Sequence, residues 1–267
     1  MGDDSFVGKR NASVALEWAQ YATEETVRVV VGEDGYQVIY HLPPAALKAK
    51  SAYFRGCLSG SFKESEQNII TLDDVNPKTF AFFVQWLFSE KIWHVAAVDS
   101  KDARETEMNM IDLWILADRL LAEDCQNYCM DSIRATVSHQ KTVSGCVKVI
   151  GKRVSAGGQL KAFYTQQMAS SMARTRKASF DTGHSPKHES WLKELDQVWD
   201  QASAEATKDL FLKYMEERER MYVSPAALAG CHWHVHVDTS KDECEAKFRA
   251  VHATTASIDT NNQDTEW

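Results

Sequence analysis

The sequence lacks any apolar run long enough to cross a bilayer, and it lacks the signatures of two common enzyme folds. Its longest apolar stretches, residues 80–88 and 27–31, fall well short of the roughly 18 residues that a membrane-spanning helix needs. It contains neither a Gly-x-Ser-x-Gly elbow nor a Gly-x-Gly-x-x-Gly fingerprint. We therefore expect no membrane partner and no enzymatic activity.

Positive charge and cysteine are also scarce. Thirty Lys and Arg residues stand against 38 Asp and Glu residues, which gives a net charge of −8 and disfavours binding to a phosphate backbone. Six cysteines in 267 residues do not resemble the dense disulfide framework of a small secreted domain, and no apolar leader follows Met1. We expect no nucleic-acid partner, and we expect reduced thiols or metal ligands in a cytoplasmic or nuclear protein.

What is present predicts strands first and helices later. β-branched residues over 27–31, a Gly-rich turn at 32–35 and alternation over 36–41 indicate two strands joined by a tight turn. A helix is expected from Pro44, a second one capped by Ser51, and a third strand over 68–72. The fold class is α+β.

Two long apolar stripes of helical period follow. Asp74 or Asn76 is suited to cap a helix from Pro77 that buries several aromatic side chains. A second stripe begins near Met110 and continues beyond an acidic break at residues 123–124. Cys125 and Cys129 share one helix face and suit a buried core better than a metal site, because free cysteine behaves as a small hydrophobe.

The domain organisation follows from composition and periodicity. The expected segments are a flexible N-terminal arm (1–20), the α+β domain (21–138), a helical extension (139–169), a Ser/Thr-rich and basic linker (170–189), a C-terminal helical region with a Cys/His segment (190–238) and a mostly disordered tail (239–267).

Five motifs recur at characteristic places between residues 41 and 118. They are Leu47-x-x-x-Ser51-x-Tyr53-Phe54, Gly60-x-Phe62-x-Glu64-Ser65, Ile70-x-Leu72, Pro77-x-x-Phe80-x-x-Phe83-x-x-Trp86-Leu87-Phe88 and Leu113-x-x-Leu116-Ala117-Asp118. In combination they make residues 41–93 resemble the BTB/POZ domain, a protein-interaction fold with a small sheet and a helical cluster. The aromatic pattern and the helical extension look most like fungal BTB proteins.

This resemblance implies partners. It implies a homodimer, and the apolar residues ahead of and within the first strand are the expected contact because exposed apolar stretches need a cover. Those residues are Val14, Leu16, Trp18, Val27 and Val29. Many BTB proteins also hold a cullin scaffold through a hydrophobic-x-Glu step, and Phe62 and Glu64 stand at the matching place. The chain is therefore expected to be an interaction module and a substrate adaptor for a cullin-type ubiquitin ligase.

The Cys/His segment allows two interpretations. Cys231, His234, His236 and Cys244 provide two thiolates and two imidazoles, the donor set that closed zinc sites prefer. A similar Cys-x-aromatic-His-x-His stretch follows the BTB domain in some fungal members. Alternatively, the alternation over residues 231–237 describes a strand with one buried face. No cofactor is expected if this segment is a strand, and zinc is expected if it is a metal site; a zinc-stabilised regulatory or scaffold protein is the alternative function.

Overall fold

The computed structural model describes residues 25–59, 68–92, 100–139, 158–182, 208–209, 211–215, 225–228 and 230–247. They fall into two compact units. The first takes the described residues within Met1–Asp99 and Asn109–Cys129, and the second takes those within Ser100–Met108 and Met130–Trp267. In the part of the chain so described, no helix combines the length and the apolar character that crossing a membrane requires.

The first unit contains a three-stranded sheet. Strands β1 (Val27–Val31) and β2 (Val38–Leu42) form the antiparallel hairpin that the sequence predicts. Gly32 has φ +106° at the start of the turn, and a Cβ atom there would lie 2.8 Å from the carbonyl oxygen of Tyr36. Only glycine fits this position without strain.

Strand β3 (Ile69–Leu72) pairs with the other edge of β1 in a parallel register, so the strand order is β2-β1-β3. The central strand buries Val27, Val29 and Val31 completely. These alternate side chains share one face of β1, and that face belongs to the core of the unit.

Two short helices follow the hairpin, α1 (Pro44–Lys50) and α2 (Ala52–Ser59). Ser51 joins them and is fully buried. Its hydroxyl donates a hydrogen bond to the carbonyl oxygen of Leu120 at 2.5 Å and accepts one from the backbone N–H of Phe54 at 3.2 Å. The predicted cap is confirmed, and the same side chain ties α2 to a segment that lies much later in the sequence.

Helix α3 (Pro77–Ser89) provides the aromatic centre of the unit. The side chain of Asn76 caps it by accepting a hydrogen bond from the backbone N–H of Lys78 at 2.8 Å, so Asn76 rather than Asp74 is the cap. Asp74 pairs instead with Arg119, and that guanidinium lowers the pKa of the carboxyl group. The fully or nearly fully buried rings of this centre are Phe54, Phe80, Phe83 and Trp86.

The second apolar stripe forms helices α4 (Ser100–Arg119) and α5 (Glu123–His139), which meet near the predicted acidic break. Between them Leu121 has φ +51° and an exposed side chain. Cys125 and Cys129 are fully buried in α5, as the sequence predicts. The α+β class with a small sheet and surrounding helices is therefore confirmed.

The second unit contains helix α6 (Gln159–Thr182), which corrects the predicted linker over residues 170–182, while residues 183–189 lie outside the described residues. The Ser/Thr-rich composition predicts a linker, but the stretch from 159 to 182 contains neither proline nor glycine and is rich in strong helix formers. Burial of the apolar side chains in the first half of α6 further stabilises the helix. Tyr164 donates a hydrogen bond to the carboxylate of Glu107 at 2.7 Å, and both are almost completely buried.

The first part of the predicted tail, residues 239–247, also requires correction, whereas residues 248–267 lie outside the described residues. Residues 241–247 form a helix, and Ser240 and Glu243 cap it reciprocally: the Ser240 hydroxyl accepts from the Glu243 N–H at 3.3 Å, and the Glu243 carboxylate accepts from the Ser240 N–H at 3.0 Å. This capping box is visible in the sequence as Ser-x-x-Glu. The expected N-terminal arm and the helix predicted over residues 143–150 lie outside the described residues.

Candidate functional site: a buried Cys/His cluster

The Cys/His segment is held in the second unit by Trp233. Its ring packs edge-on against Phe163 of α6, with 5.3 Å between the ring centroids. Its indole N–H donates a hydrogen bond to the carbonyl oxygen of Pro225 at 3.0 Å, and only 3% of the residue is exposed. Residues 231–237 form turns and irregular backbone, and Val237 is 81% exposed. The alternative prediction of a strand with one buried face is therefore wrong.

This irregular backbone brings three of the four predicted ligands together. Ligand atoms of Cys231, His236 and Cys244 all lie within 4.8 Å of one another. Both cysteines are buried. His236 is partly exposed as a residue, but its two ring nitrogens are buried and have no hydrogen-bond partner among the described residues. A buried polar atom without a partner is costly, and a metal ion would satisfy one of these nitrogens.

The fourth predicted ligand, His234, lies beside this cluster. Its Nδ1 atom is 3.1 Å from the sulfur of Cys244, and its Nε2 atom is 3.0 Å from a carboxylate oxygen of Asp131 on α5. Only 5% of His234 is exposed. Asp131 also pairs with Arg134 at 3.0 Å, and Arg134 donates a second hydrogen bond to the carbonyl oxygen of Leu228.

The helix over residues 241–247 positions Cys244. The capping box fixes its first turn, and the backbone N–H of Cys244 donates to the carbonyl oxygen of Ser240 at 3.0 Å. Hydrogen bonds from Ser240 lower the pKa of Glu243 and keep the capping carboxylate ionised. The sulfur of Cys231 lies 3.8 Å from the carboxylate of Glu245 on the same helix. The short helix thus places one thiol inside the cluster and a carboxylate at its edge.

The donor set fits a metal ion that prefers sulfur and nitrogen. Zinc bonds of about 2.3 Å to sulfur and about 2.0 Å to nitrogen place tetrahedral ligand atoms roughly 3.4–3.8 Å apart. Separations of at most 4.8 Å within the cluster need only a small contraction to reach that geometry. These residues can therefore hold a metal ion.

Asp131 and Arg134 were not predicted from the sequence. Both lie on the polar side of a helix whose apolar stripe gave the only recognisable signal, and they are about one hundred residues from the Cys/His segment. The capping box at Ser240 was a local signal that could have predicted the helix carrying Cys244.

The predicted interaction residues separate into two groups. Val27 and Val29 are completely buried in the first unit, so their side chains are not a surface for a second copy of the chain, which corrects that part of the predicted contact. The other interaction residues, Val14, Leu16, Trp18, Phe62 and Glu64, lie outside the described residues.

Cysteine reactivity should distinguish the buried pair of helix α5, Cys125 and Cys129, from Cys57. Burial, together with the neighbouring Cys129 thiol, raises the pKa of Cys125 well above its usual value, whereas Cys57 is only half-buried. We expect Cys57 to react with an alkylating agent at least tenfold faster than Cys125 or Cys129, since reaction of the buried pair requires an opening that costs more than about 1.4 kcal/mol. Mass spectrometry of peptides over a time course measures this, and equal rates would contradict it.

The first unit, with a β-hairpin, a parallel third strand, two short helices and a central aromatic helix, defines a small α+β module. A family model of the BTB/POZ domain matches residues 23–136. The chain carries a BTB/POZ domain, as the sequence motifs predict. A comparison with curated proteins finds no match to the chain.

Proposed function

We propose that this chain is a non-enzymatic interaction protein that forms a homodimer through its BTB/POZ domain and presents other surfaces to partner proteins. The domain itself is the observation that supports this proposal, since BTB/POZ is a protein-interaction family. The free cysteines among the described residues suit the reducing cytoplasm or nucleus, where we place the protein.

The exposed hairpin supports the dimer proposal. Within the part of the chain that the structure describes, β2 lies at an edge of the sheet, and the hairpin exposes three large side chains: Tyr36, Val38 and Ile39 are 86%, 40% and 48% exposed. An exposed edge with apolar side chains is a template for pairing with another chain. We propose a second copy of the chain as its occupant, with Val14, Leu16 and Trp18 adding to the contact.

Light scattering and sedimentation at micromolar concentration test the dimer. We expect twice the monomer mass for the wild type and a weakened dimer for Ile39→Glu, because the new charge would be buried at the contact. Leu212→Glu is the matched control, since Leu212 is 50% exposed but lies in the second unit. A monomeric wild type, or equal weakening by both variants, would overturn the proposal.

We also propose that the domain binds a cullin scaffold through Phe62 and Glu64. The supporting observation is the sequence step Phe62-Lys63-Glu64 between α2 and β3. An apolar anchor entering a partner groove contributes about 2 kcal/mol or more, and a charged hydrogen bond at the rim adds to it.

Titration with a cullin N-terminal domain tests this adaptor role. Phe62→Ala should weaken binding about thirtyfold, which corresponds to about 2 kcal/mol, and Glu64→Ala should weaken it less. Lys63→Ala serves as the control and should bind like the wild type. Absence of binding by the wild type, or unchanged binding by both Phe62→Ala and Glu64→Ala, removes the proposal.

The Cys/His cluster supports a second role, a structural zinc site that stabilises the C-terminal segment. Purified protein prepared without chelator should contain about one equivalent of zinc, measured by elemental analysis. Cys231→Ser and Cys244→Ser should each lose the bound zinc. Cys57→Ser should retain the zinc, because Cys57 lies in the first unit. Metal-free wild-type protein that also fails to take up added zinc would exclude the site.

A further inference from the structure

Asp131 lies on α5 outside the apolar core and contacts both a histidine of the Cys/His segment and a nearly buried arginine. One of its carboxylate oxygens contacts the Nε2 atom of His234 and the guanidinium of Arg134, each at 3.0 Å. Arg134 is 9% exposed and is itself fixed by the carbonyl oxygen of Leu228. The Asp131 side chain is 42% exposed, but these contacts hold one of its oxygens between the guanidinium of Arg134 and the imidazole of His234.

This contact favours one tautomer of His234. An ionised carboxylate accepts hydrogen bonds and donates none, so the 3.0 Å contact favours the form in which Nε2–H donates a hydrogen bond to Asp131. In the neutral imidazole the lone pair then lies on Nδ1, and Nδ1 faces the sulfur of Cys244 at 3.1 Å. In this tautomer the Nδ1 atom of His234 lies beside the sulfur of a predicted metal ligand.

The lone pair of Nδ1 and a thiolate sulfur on Cys244 repel each other unless a proton or a metal cation lies between them or beside them. Without a metal ion, the Cys244 thiol can donate a hydrogen bond to Nδ1. If a metal ion bound, the thiol would release its proton to solvent, and the thiolate and Nδ1 could both bind the cation. Sulfur and nitrogen bound to one zinc ion lie about 3.5 Å apart, a few tenths of an ångström from the observed separation.

Resting on the proposed zinc site, we infer that His234 is its fourth ligand through Nδ1 and that Asp131 is the positioning residue that makes this possible. Cys231, His236 and Cys244 would fill three positions. His234 lies outside this group, whose ligand atoms are all within 4.8 Å of one another, but its Nδ1 atom is 3.1 Å from the Cys244 sulfur and would close the fourth position once the site contracts, which is the arrangement of structural zinc sites. A metal-bound histidine characteristically donates its other ring N–H to a carboxylate. Metal binding then fastens the C-terminal segment to α5 through the contact between His234 and Asp131.

Glu245 is the rival fourth ligand, because its carboxylate lies 3.8 Å from the sulfur of Cys231. The two possibilities differ chemically. A site with two sulfur and two nitrogen ligands uses His234, whereas a site with two sulfur, one nitrogen and one oxygen ligand uses Glu245. Replacing each residue separately distinguishes them.

The test uses the full-length protein with Co²⁺ as the probe, since its absorption spectrum reports both thiolate ligation and tetrahedral geometry. Wild-type protein should give a tetrahedral spectrum that zinc abolishes by displacement. His234→Gln should change that spectrum and weaken binding, and Glu245→Gln should do neither. Asp131→Asn should keep the tetrahedral spectrum but weaken Co²⁺ and Zn²⁺ binding about 10–100-fold, the usual cost of removing a carboxylate that orients a ligating histidine. Asp242→Asn, an exposed carboxylate on the same short helix as Cys244, is the matched control.

The outcomes separate this inference from the zinc site itself. If wild-type protein binds neither metal, the proposed zinc site is absent. If wild-type protein binds and His234→Gln and Asp131→Asn bind equally well, zinc is held without His234 and this inference is overturned. Unfolding of the metal-free variants, followed by circular dichroism, provides the remaining control: a merely structural Asp131 would lower metal-free stability and leave the Co²⁺ affinity of the folded protein unchanged.

Discussion

Replacing Phe83 with alanine lowers the free energy of unfolding of the BTB/POZ domain by about 3–5 kcal/mol, the usual cost of removing a buried aromatic ring. Phe83 is completely buried, and its ring centroid lies 5.7–6.3 Å from those of Phe80, Trp86 and Phe54. The alanine variant loses these contacts and leaves a cavity that rigid neighbouring rings cannot fill.

Urea unfolding followed by circular dichroism measures this loss. Phe82→Ala on the same helix is the matched control, because Phe82 is only half-buried and its removal should cost less than half as much. Phe83→Leu, which retains most of the apolar volume, ensures that a folded variant is available if the alanine variant does not fold. Equal losses for Phe82→Ala and Phe83→Ala would contradict the assigned core.

Replacing Trp233 with alanine should release the Cys/His segment from the second unit. The change removes the ring that packs on Phe163 and leaves the carbonyl oxygen of Pro225 without the indole donor. Truncating a buried tryptophan costs about 3–5 kcal/mol of stability. The resulting loss of protection against hydrogen exchange cannot exceed the free energy that the wild-type segment needs to open locally.

Hydrogen exchange at the amides of residues 231–244, resolved by peptide mass spectrometry, measures the opening. We expect protection to fall by about two orders of magnitude or more in Trp233→Ala, since each 1.4 kcal/mol is a factor of ten. Trp233→Phe, which keeps a ring but loses the indole hydrogen bond, should lie between this variant and the wild type. Val237→Ala is the control because Val237 is 81% exposed. Unchanged protection in Trp233→Ala would show that the segment is held by other contacts.

Local sequence signals predicted the elements of the first unit well. Helix α3 is an example: Asn76 provides the cap, Pro77 suits the first turn, and the apolar residues that follow recur at the helical period. Each of these determinants acts within a few residues, so no tertiary information is needed to recognise it. The hairpin of β1 and β2 was predictable for the same reason, because the turn that joins the strands is local.

Composition was a weaker guide in the second unit. The stretch after residue 169 has the Ser and Thr content of a linker, but α6 continues through it to Thr182. Helix propensity differs by less than about 1 kcal/mol between most residues. Packing of the preceding turns of α6 therefore decides whether the helix continues past residue 169. Leu160, Phe163 and Met168 supply that packing and are completely buried.

The sequence by itself determined the α+β class, the BTB/POZ motifs, the free and buried state of Cys125 and Cys129, and the residue types of a metal site in the Cys/His segment. These properties depend on residue type and short spacing. Only the tertiary structure decided that β3 pairs in parallel with β1, that Val27 and Val29 are core residues, and that residues 231–237 turn rather than extend. It alone brought Asp131 to His234 across about one hundred residues, because contacts between distant segments depend on how whole helices pack and leave no periodic trace in the chain.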